Sequence, residues 1–157
     1  MSAAVSPEIL DEIRTIVARY PRREAALLPV LRVLQRASGG ISPAEERAAA
    51  EILGVGPVRV REAVSFYSMF ISGRAGEHVI RLCVSLSCTM AGSGALLERL
   101  KERLRIEPGG TTADGRFTLQ TVECLGNCDR APCLMIDDDD HERVTVARLD
   151  EILDRRT

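Results

Sequence analysis

The sequence predicts an α/β protein in two parts, a helical bundle over residues 1–75 followed by a mixed α/β domain over residues 76–157. Three observations lead there. Apolar residues recur at helical spacing through the first part, punctuated by Pro and Gly. β-Branched runs suited to a half-buried sheet begin only after Gly76. Between the two, Ser72-Gly73 to Gly76 reads as a linker.

Taken in order, Ser6-Pro7-Glu8 reads as an N-cap with Pro at the first helical position, and Ile9, Ile13, Ile16, Val17 and Tyr20 share the apolar face until Pro21 ends the helix. The second helix carries Leu27, Val30, Leu31 and Leu34 and stops at Gly39-Gly40; Pro29 inside it predicts a kink or a start at that point. Ser42-Pro43-Ala44-Glu45 has the pattern of a capping box, opening a third helix that Gly54 closes. A fourth helix is predicted from Pro57 to about Ser68, burying Val60, Val64 and Tyr67. Short helices of this kind are marginal alone and must pack together or dock on something else.

Beyond the linker, His78–Val84 reads as a strand and Ser93–Arg105 as a helix with Leu96, Leu97, Leu100 and Leu104 on one face. Phe117–Val122 and Leu134–Ile136 read as the next strands, with Arg143-Val144 as a short fourth. Thr145 can cap a last helix that turns Val146, Leu149, Ile152 and Leu153 inward. This order allows one small sheet covered by helices.

Composition narrows the function. The first 75 residues carry ten Arg against eight acids and the remainder eleven basic residues against fifteen, an asymmetry too small to suggest nucleic acid. Aromatics are scarce and no basic stretch is interleaved with them, so a stacking platform for single strands is missing as well. The longest apolar run, Ala25–Leu31, falls far short of the roughly 20 residues that span a bilayer. Met1–Ser6 lacks a basic segment followed by an apolar one, so neither a leader nor membrane insertion is expected. Five cysteines in such a chain are expected to be reduced, which places metal ligation ahead of disulfides.

Four of those cysteines form two short-spaced pairs, Cys83 with Cys88 and Cys124 with Cys128, in the pattern C-x4-C, 35 residues, C-x3-C. Cys83 ends the first predicted strand, Cys88 lies in the loop after it, and Cys124 and Cys128 occupy a Gly-containing loop after the second strand. If those strands are neighbours, both loops leave the sheet at one end. Four thiolates match the ligand count of a two-iron, two-sulfur cluster. Zinc also takes four thiolates, and the spacing alone leaves it open.

The segments Glu123–Pro132, Cys83–Cys88 and Thr111–Phe117, together with Tyr20-Pro21 and Ser65–Phe70 upstream, resemble the thioredoxin-like [2Fe-2S] ferredoxin subunit of NADH:quinone oxidoreductase, or complex I, over nearly the whole chain. The resemblance implies an N-terminal helical bundle followed by a thioredoxin-like [2Fe-2S] ferredoxin domain. It places the cluster ligands on Cys83, Cys88, Cys124 and Cys128. It implies a one-electron carrier that exchanges an electron with FMN on a partner subunit carrying the NADH site, with no catalytic residue and no turnover by the isolated chain. The implied location is cytoplasmic, peripheral to the inner face of the membrane as part of the complex. Similar subunits serve NAD-linked formate dehydrogenases and bidirectional hydrogenases, and a zinc-stabilised binding module is the alternative of another class. Val84 stands where many relatives have Thr, which removes a hydroxyl near the cluster and leaves ligation unaffected.

A cluster on four thiolates is a dianion that becomes a trianion on reduction. That charge needs amide dipoles aimed at the sulfurs, and Gly126 lets the loop backbone approach. The aromatic segment Phe66, Tyr67, Met69 and Phe70 is expected to offer an interface to the partner.

Other features read blandly. Cys133 is expected to be a buried small hydrophobe, with a spare thiol that reacts or replaces a lost ligand as the lesser reading. His78 and His141 belong to no cysteine motif, which argues against a Rieske-type site. Gly92-Ser93-Gly94 reads as a helix cap, because Leu97 stands where a dinucleotide fingerprint needs its third glycine. Asp137–Asp140 reads as a solvated turn, and the C-x-x-C of a dithiol oxidoreductase is absent.

Overall fold

The computed structural model describes residues 5–156, so the first four residues of the Met1–Ser6 start lie outside the described region. The chain divides into two compact units, with the division at Arg74-Ala75.

The first unit is built from α1 (Pro7–Val17), α2 (Leu27–Ser38), α3 (Pro43–Leu53) and α4 (Pro57–Phe66), with a 3₁₀ turn at Arg23–Ala26. Their apolar faces share one core that includes Ile13, Val30, Leu31, Leu34, Ala49, Leu53, Val60 and Val64. The capping predictions hold at atomic detail. The Ser6 hydroxyl accepts from the Ile9 amide, and at α3 the Glu45 carboxylate accepts from the Ser42 amide at 2.9 Å while the Ser42 hydroxyl accepts from the Ala44 amide at 3.1 Å.

Other boundaries differ from expectation for identifiable reasons. Helix α1 stops at Val17, with the amides of Arg19 and Tyr20 reaching back three residues in a tightened last turn; Pro21 disfavours helical backbone at the residue before it, so Tyr20 ends at the surface. Pro29 breaks nothing, because it occupies the first turn of α2, where its missing donor would have had no partner. Helix α4 ends at Phe66 instead of Ser68, and Tyr67 is extended and partly exposed instead of buried. Competing tertiary bonds draw the chain out of the helix there: the Gln35 side chain donates to the Met69 carbonyl and accepts from the Ile71 amide. The following residues are no free linker either. Ile41 pairs with Ile71 and Gly73 through backbone bonds of 2.8 and 2.9 Å. Gly40 permits the approach, since a Cβ there would lie 2.0 Å from the Gly73 carbonyl oxygen. Phe70 turns into the core, leaving only Phe66, Tyr67 and Met69 of the expected interface segment at the surface.

The second unit contains β1 (His78–Cys83), α5 (Leu86–Met90), α6 (Ser93–Leu104), β2 (Phe117–Val122), β3 (Leu134–Ile136), β4 (Asp139–His141) and α7 (Val146–Asp154). The sheet order is β2-β1-β3-β4, with β1 parallel to β2 and both other pairings antiparallel. One face, formed by Ile80, Leu82, Phe117, Leu119, Leu134 and Ile136, packs against Leu96 and Leu100 of α6 and Leu149, Ile152 and Leu153 of α7. Gly92 caps α6, in line with the bland reading of its glycines. Thr145 caps α7 through the Arg148 amide, but Val146, expected inward, is exposed.

The fourth strand is Asp139–His141, not Arg143-Val144. The acidic run supplies the expected turn at Asp137-Asp138 and is exposed from Asp138 to Asp140, but its second half continues as β4 and closes a hairpin on β3. Asp137 takes a left-handed φ of 57°, which short polar side chains tolerate in such turns. Its carboxylate then accepts from the Val79 amide at 2.8 Å and pairs with His78 Nδ1 at 2.7 Å. Arg143 is left-handed, at φ 47°, and therefore leaves the sheet.

Candidate metal centre

The sheet itself assembles the site. Cys83 is the last residue of β1 and lies in register with Val122, the last residue of β2. Because the two strands are parallel, the chain leaves both at the same end, and Cys124 follows two residues beyond Val122. Antiparallel pairing of β1 with β3 adds a third approach. Leu82 faces Leu134, and the Cys83 amide donates to the Cys133 carbonyl at 3.2 Å. Cys88, expected in a loop, lies within the short helix α5, which turns its thiol inward while Leu86 and Met90 face outward.

The five thiols are all free and fall into two groups. Cys83, Cys88 and Cys133 are each at most 2% exposed, and their sulfurs all lie within 4.8 Å of one another; Leu125 and Ala131 pack against them. The Cys88 and Cys133 sulfurs are 3.5 Å apart. Cys124 and Cys128 are exposed, with sulfurs 3.6 Å apart. Metal–thiolate bonds of about 2.3 Å at tetrahedral angles hold two sulfurs about 3.8 Å apart, so the outer pair already has the span of two ligands on one metal.

Backbone groups are aimed as a charged centre needs. Gly126, at φ 88°, turns its amide onto the Cys124 sulfur at 3.3 Å, a conformation in which a Cβ would be strained. Burial pushes the Cys83 thiol up, opposed by the amides of Ser85 and Leu125. Burial also works against ionisation of Cys88, but hydrogen bonds from the Cys133 amide and from the Cys83 and Cys133 thiols hold it below the ordinary thiol range. Cys133 is pushed up to about 12 by burial and by the neighbouring Cys88. The Cys128 thiol is raised chiefly by its hydrogen bond with Cys124, and also by Cys83 and Cys88, so the two groups lie within electrostatic reach of each other. A donor set made only of sulfur, ringed by amides, fits an iron–sulfur cluster.

The model of the thioredoxin-like [2Fe-2S] ferredoxin family matches residues 13–157. The chain belongs to this family. Similar proteins are named as parts of larger assemblies. One NADH-quinone oxidoreductase subunit of Rhizobium meliloti is 42% identical over 92% of this chain and 86% of its own length. An NADH-quinone oxidoreductase subunit of Escherichia coli K12 is 38% identical over 99% of this chain and 91% of its own. NADH-quinone oxidoreductase subunit 2 of Thermus thermophilus is 39% identical over 91% of this chain and 81% of its own. In fold, this ferredoxin superposes on part of an NAD+-reducing [NiFe]-hydrogenase with a TM-score of 0.71 at 24% identity, covering 83% of this chain and 22% of that one.

Of the four residues singled out from spacing, Cys83 and Cys88 adjoin one another in the buried group, and Cys124 and Cys128 adjoin one another outside it. Cys133 is buried as expected, but spacing gave no hint that it touches Cys88. The signal that could have found it is strand pairing. A Cys immediately before β3 falls opposite a Cys at the end of β1 once those strands run antiparallel. His78 is engaged by Asp137, away from the thiols along β1.

Proposed function

We propose that this chain is the one-electron carrier subunit of an NADH:quinone oxidoreductase, holding a single [2Fe-2S] cluster on Cys83, Cys88, Cys124 and Cys128. The observation that carries this reading is the parallel β1–β2 pair, whose two cysteine-bearing exits leave the sheet at one end. When bound, the cluster supplies reversible uptake of one electron at a time. The chain's own residues do the rest. Cys83 and Cys88 anchor the inner side from the sheet end and from α5, where they are shielded from water. Cys124 and Cys128 close the outer side from the Gly126 loop, whose amide offsets the added negative charge. The exposed outer pair leaves a short path for an electron to a donor outside the chain, proposed to be FMN on an NADH-oxidising partner subunit.

The two compact units take separate roles in this reading, a cluster domain from Gly76 onward and a helical bundle before it. Among the described residues no helix is long and apolar enough to cross a membrane. The position proposed for the chain is peripheral to the membrane as part of the complex, on the cytoplasmic side. Phe66, 80% exposed, stands beside Tyr67 and Met69 as an apolar edge that a partner subunit can cover. Alanine at these three positions is expected to weaken co-purification with the flavin subunit; unchanged co-purification counts against this surface.

The direct test is anaerobic purification followed by metal and sulfide analysis, a visible spectrum, and EPR after dithionite reduction. About two irons and two sulfides with a spin-half signal on reduction are expected. A colourless chain with about one zinc means a zinc-stabilised binding module instead.

A further inference from the structure

The fifth thiol is surplus to a four-ligand cluster, yet it is not set apart from it. Cys133 lies with Cys83 and Cys88 in a closed group whose sulfurs are within 4.8 Å of one another. Three positions of the fold supply the thiols of this group, none of them in the outer loop: the end of β1, the helix α5, and the residue preceding β3; the outer loop only packs against them through Leu125. Trigonal coordination with metal–sulfur bonds of about 2.3 Å places three sulfurs about 4 Å apart, so an ion at their centre needs shifts of only tenths of an ångström.

We infer that Cys83, Cys88 and Cys133 form a preformed tris-thiolate site for a single thiophilic monovalent ion, copper(I), in the chain that lacks its cluster. The donor chemistry selects the ion. An all-sulfur site favours copper(I), zinc or iron–sulfur centres over hard cations. Zinc in closed sites almost always takes four ligands, and a group at most 2% exposed has little access to a water as the fourth. Copper(I) is satisfied by three. Binding releases the thiol protons to solvent and changes no oxidation state, so the site needs no oxidant or reductant.

Two of the three ligands are shared with the proposed cluster, so the ion and the cluster exclude each other. This exclusion rests on the ligand set proposed above; the tris-thiolate site itself does not. Copper(I) held here would block cluster insertion into the newly made chain.

The test uses the full chain freed of cluster and kept anaerobic, with copper(I) presented as its bicinchoninate complex. The wild-type chain is expected to withdraw one equivalent, and Cys133→Ala to weaken that uptake at least tenfold. The double variant Cys124→Ser/Cys128→Ser is expected to take copper(I) as the wild type does. Cys133→Ala holding copper as tightly as the wild type, or the double variant losing it, overturns the inference, and circular dichroism of each variant excludes unfolding as the cause. Iron and sulfide analysis after reconstitution tests the cluster assignment separately. Cys133→Ala is expected to rebuild the cluster and the double variant to fail; a reversed pattern moves the cluster ligands and leaves the copper result to be judged on its own.

Discussion

The inner and outer thiols, proposed above to hold one cluster together, are held by the fold in different ways. Cys83 and Cys88 sit where β1 ends and α5 turns inward, over a sheet whose Ile80, Leu82 and Leu134 are fully buried. Cys124 and Cys128 sit on a loop, exposed, positioned by Gly126 and a single 3₁₀ turn at Cys128–Arg130. The proposed cluster would draw its ligands equally from the two pairs, but the pairs do not contribute equally to folding stability. The inner pair is part of the core, whereas the outer pair contributes little until a metal joins it.

The strongest way to break that contrast is to hollow the core of the sheet whose central strand ends in Cys83. Leu82→Ala, next to Cys83, is expected to cost about 2–5 kcal/mol, read as a fall in the urea midpoint. Leu86→Ala, on the exposed side of α5, should stay within about 0.5 kcal/mol. Similar losses at the two positions would mean that α5 is not oriented as described.

Comparing the proposed ligands directly sharpens the point. Cys83→Ser puts a hydroxyl into a buried position and is expected to destabilise the cluster-free chain by about 1–3 kcal/mol. Cys124→Ser should change it by no more than about 0.5 kcal/mol. Both should lose the cluster, seen as bleaching of the visible spectrum. A cluster retained in either variant removes that residue from the ligand set.

Gly126→Ala probes the outer loop. The added Cβ meets no atom within 4 Å, so the strain comes from the backbone alone, and about 1–2 kcal/mol is expected for holding a left-handed residue with a side chain. Relaxation of the loop would move its amide off the Cys124 sulfur, and the midpoint potential is expected to fall as negative charge loses a dipole. An unchanged potential in redox titration rules that dipole out as a tuning element.

The smallest expected effect lies away from the thiols, where Asp150 on α7 accepts from Arg99 and Arg103 on α6. The hydrogen bond from Arg99, and after it that from Arg103, holds the Asp150 carboxyl below the usual range. A lowered folded pKa gives stability that is full above the unfolded value of about 3.9 and lost as pH falls through the folded one. Asp150→Asn should therefore melt lower than wild type at neutral pH and match it in strong acid. A gap of constant size across that range contradicts the pairing.

Much of this could be read directly from the residues, because the forces that set those features are local. A Ser with Glu three positions on, a Pro at the first turn, or a Thr before an apolar run fixes a helix start wherever the chain lies, and α1, α3 and α7 begin where those signals stand. Alternating β-branched residues likewise placed β1 and β2, and cysteine spacing drew attention to Cys83, Cys88, Cys124 and Cys128.

What the residues alone left undecided depended on partners distant in the chain. The extended path after Phe66 follows from Gln35 and Ile41, more than 25 residues earlier. The hairpin at Asp137 follows from the Val79 amide across the sheet. Cys133 joins Cys83 and Cys88 only because β3 runs antiparallel beside β1, a pairing that no local pattern encodes. Local propensity acts within a turn or two of helix, while strand order and register are set by the burial of the whole sheet against α6 and α7. Residue order therefore defines the elements and the thiols they carry, and packing across the sheet selects which thiols meet.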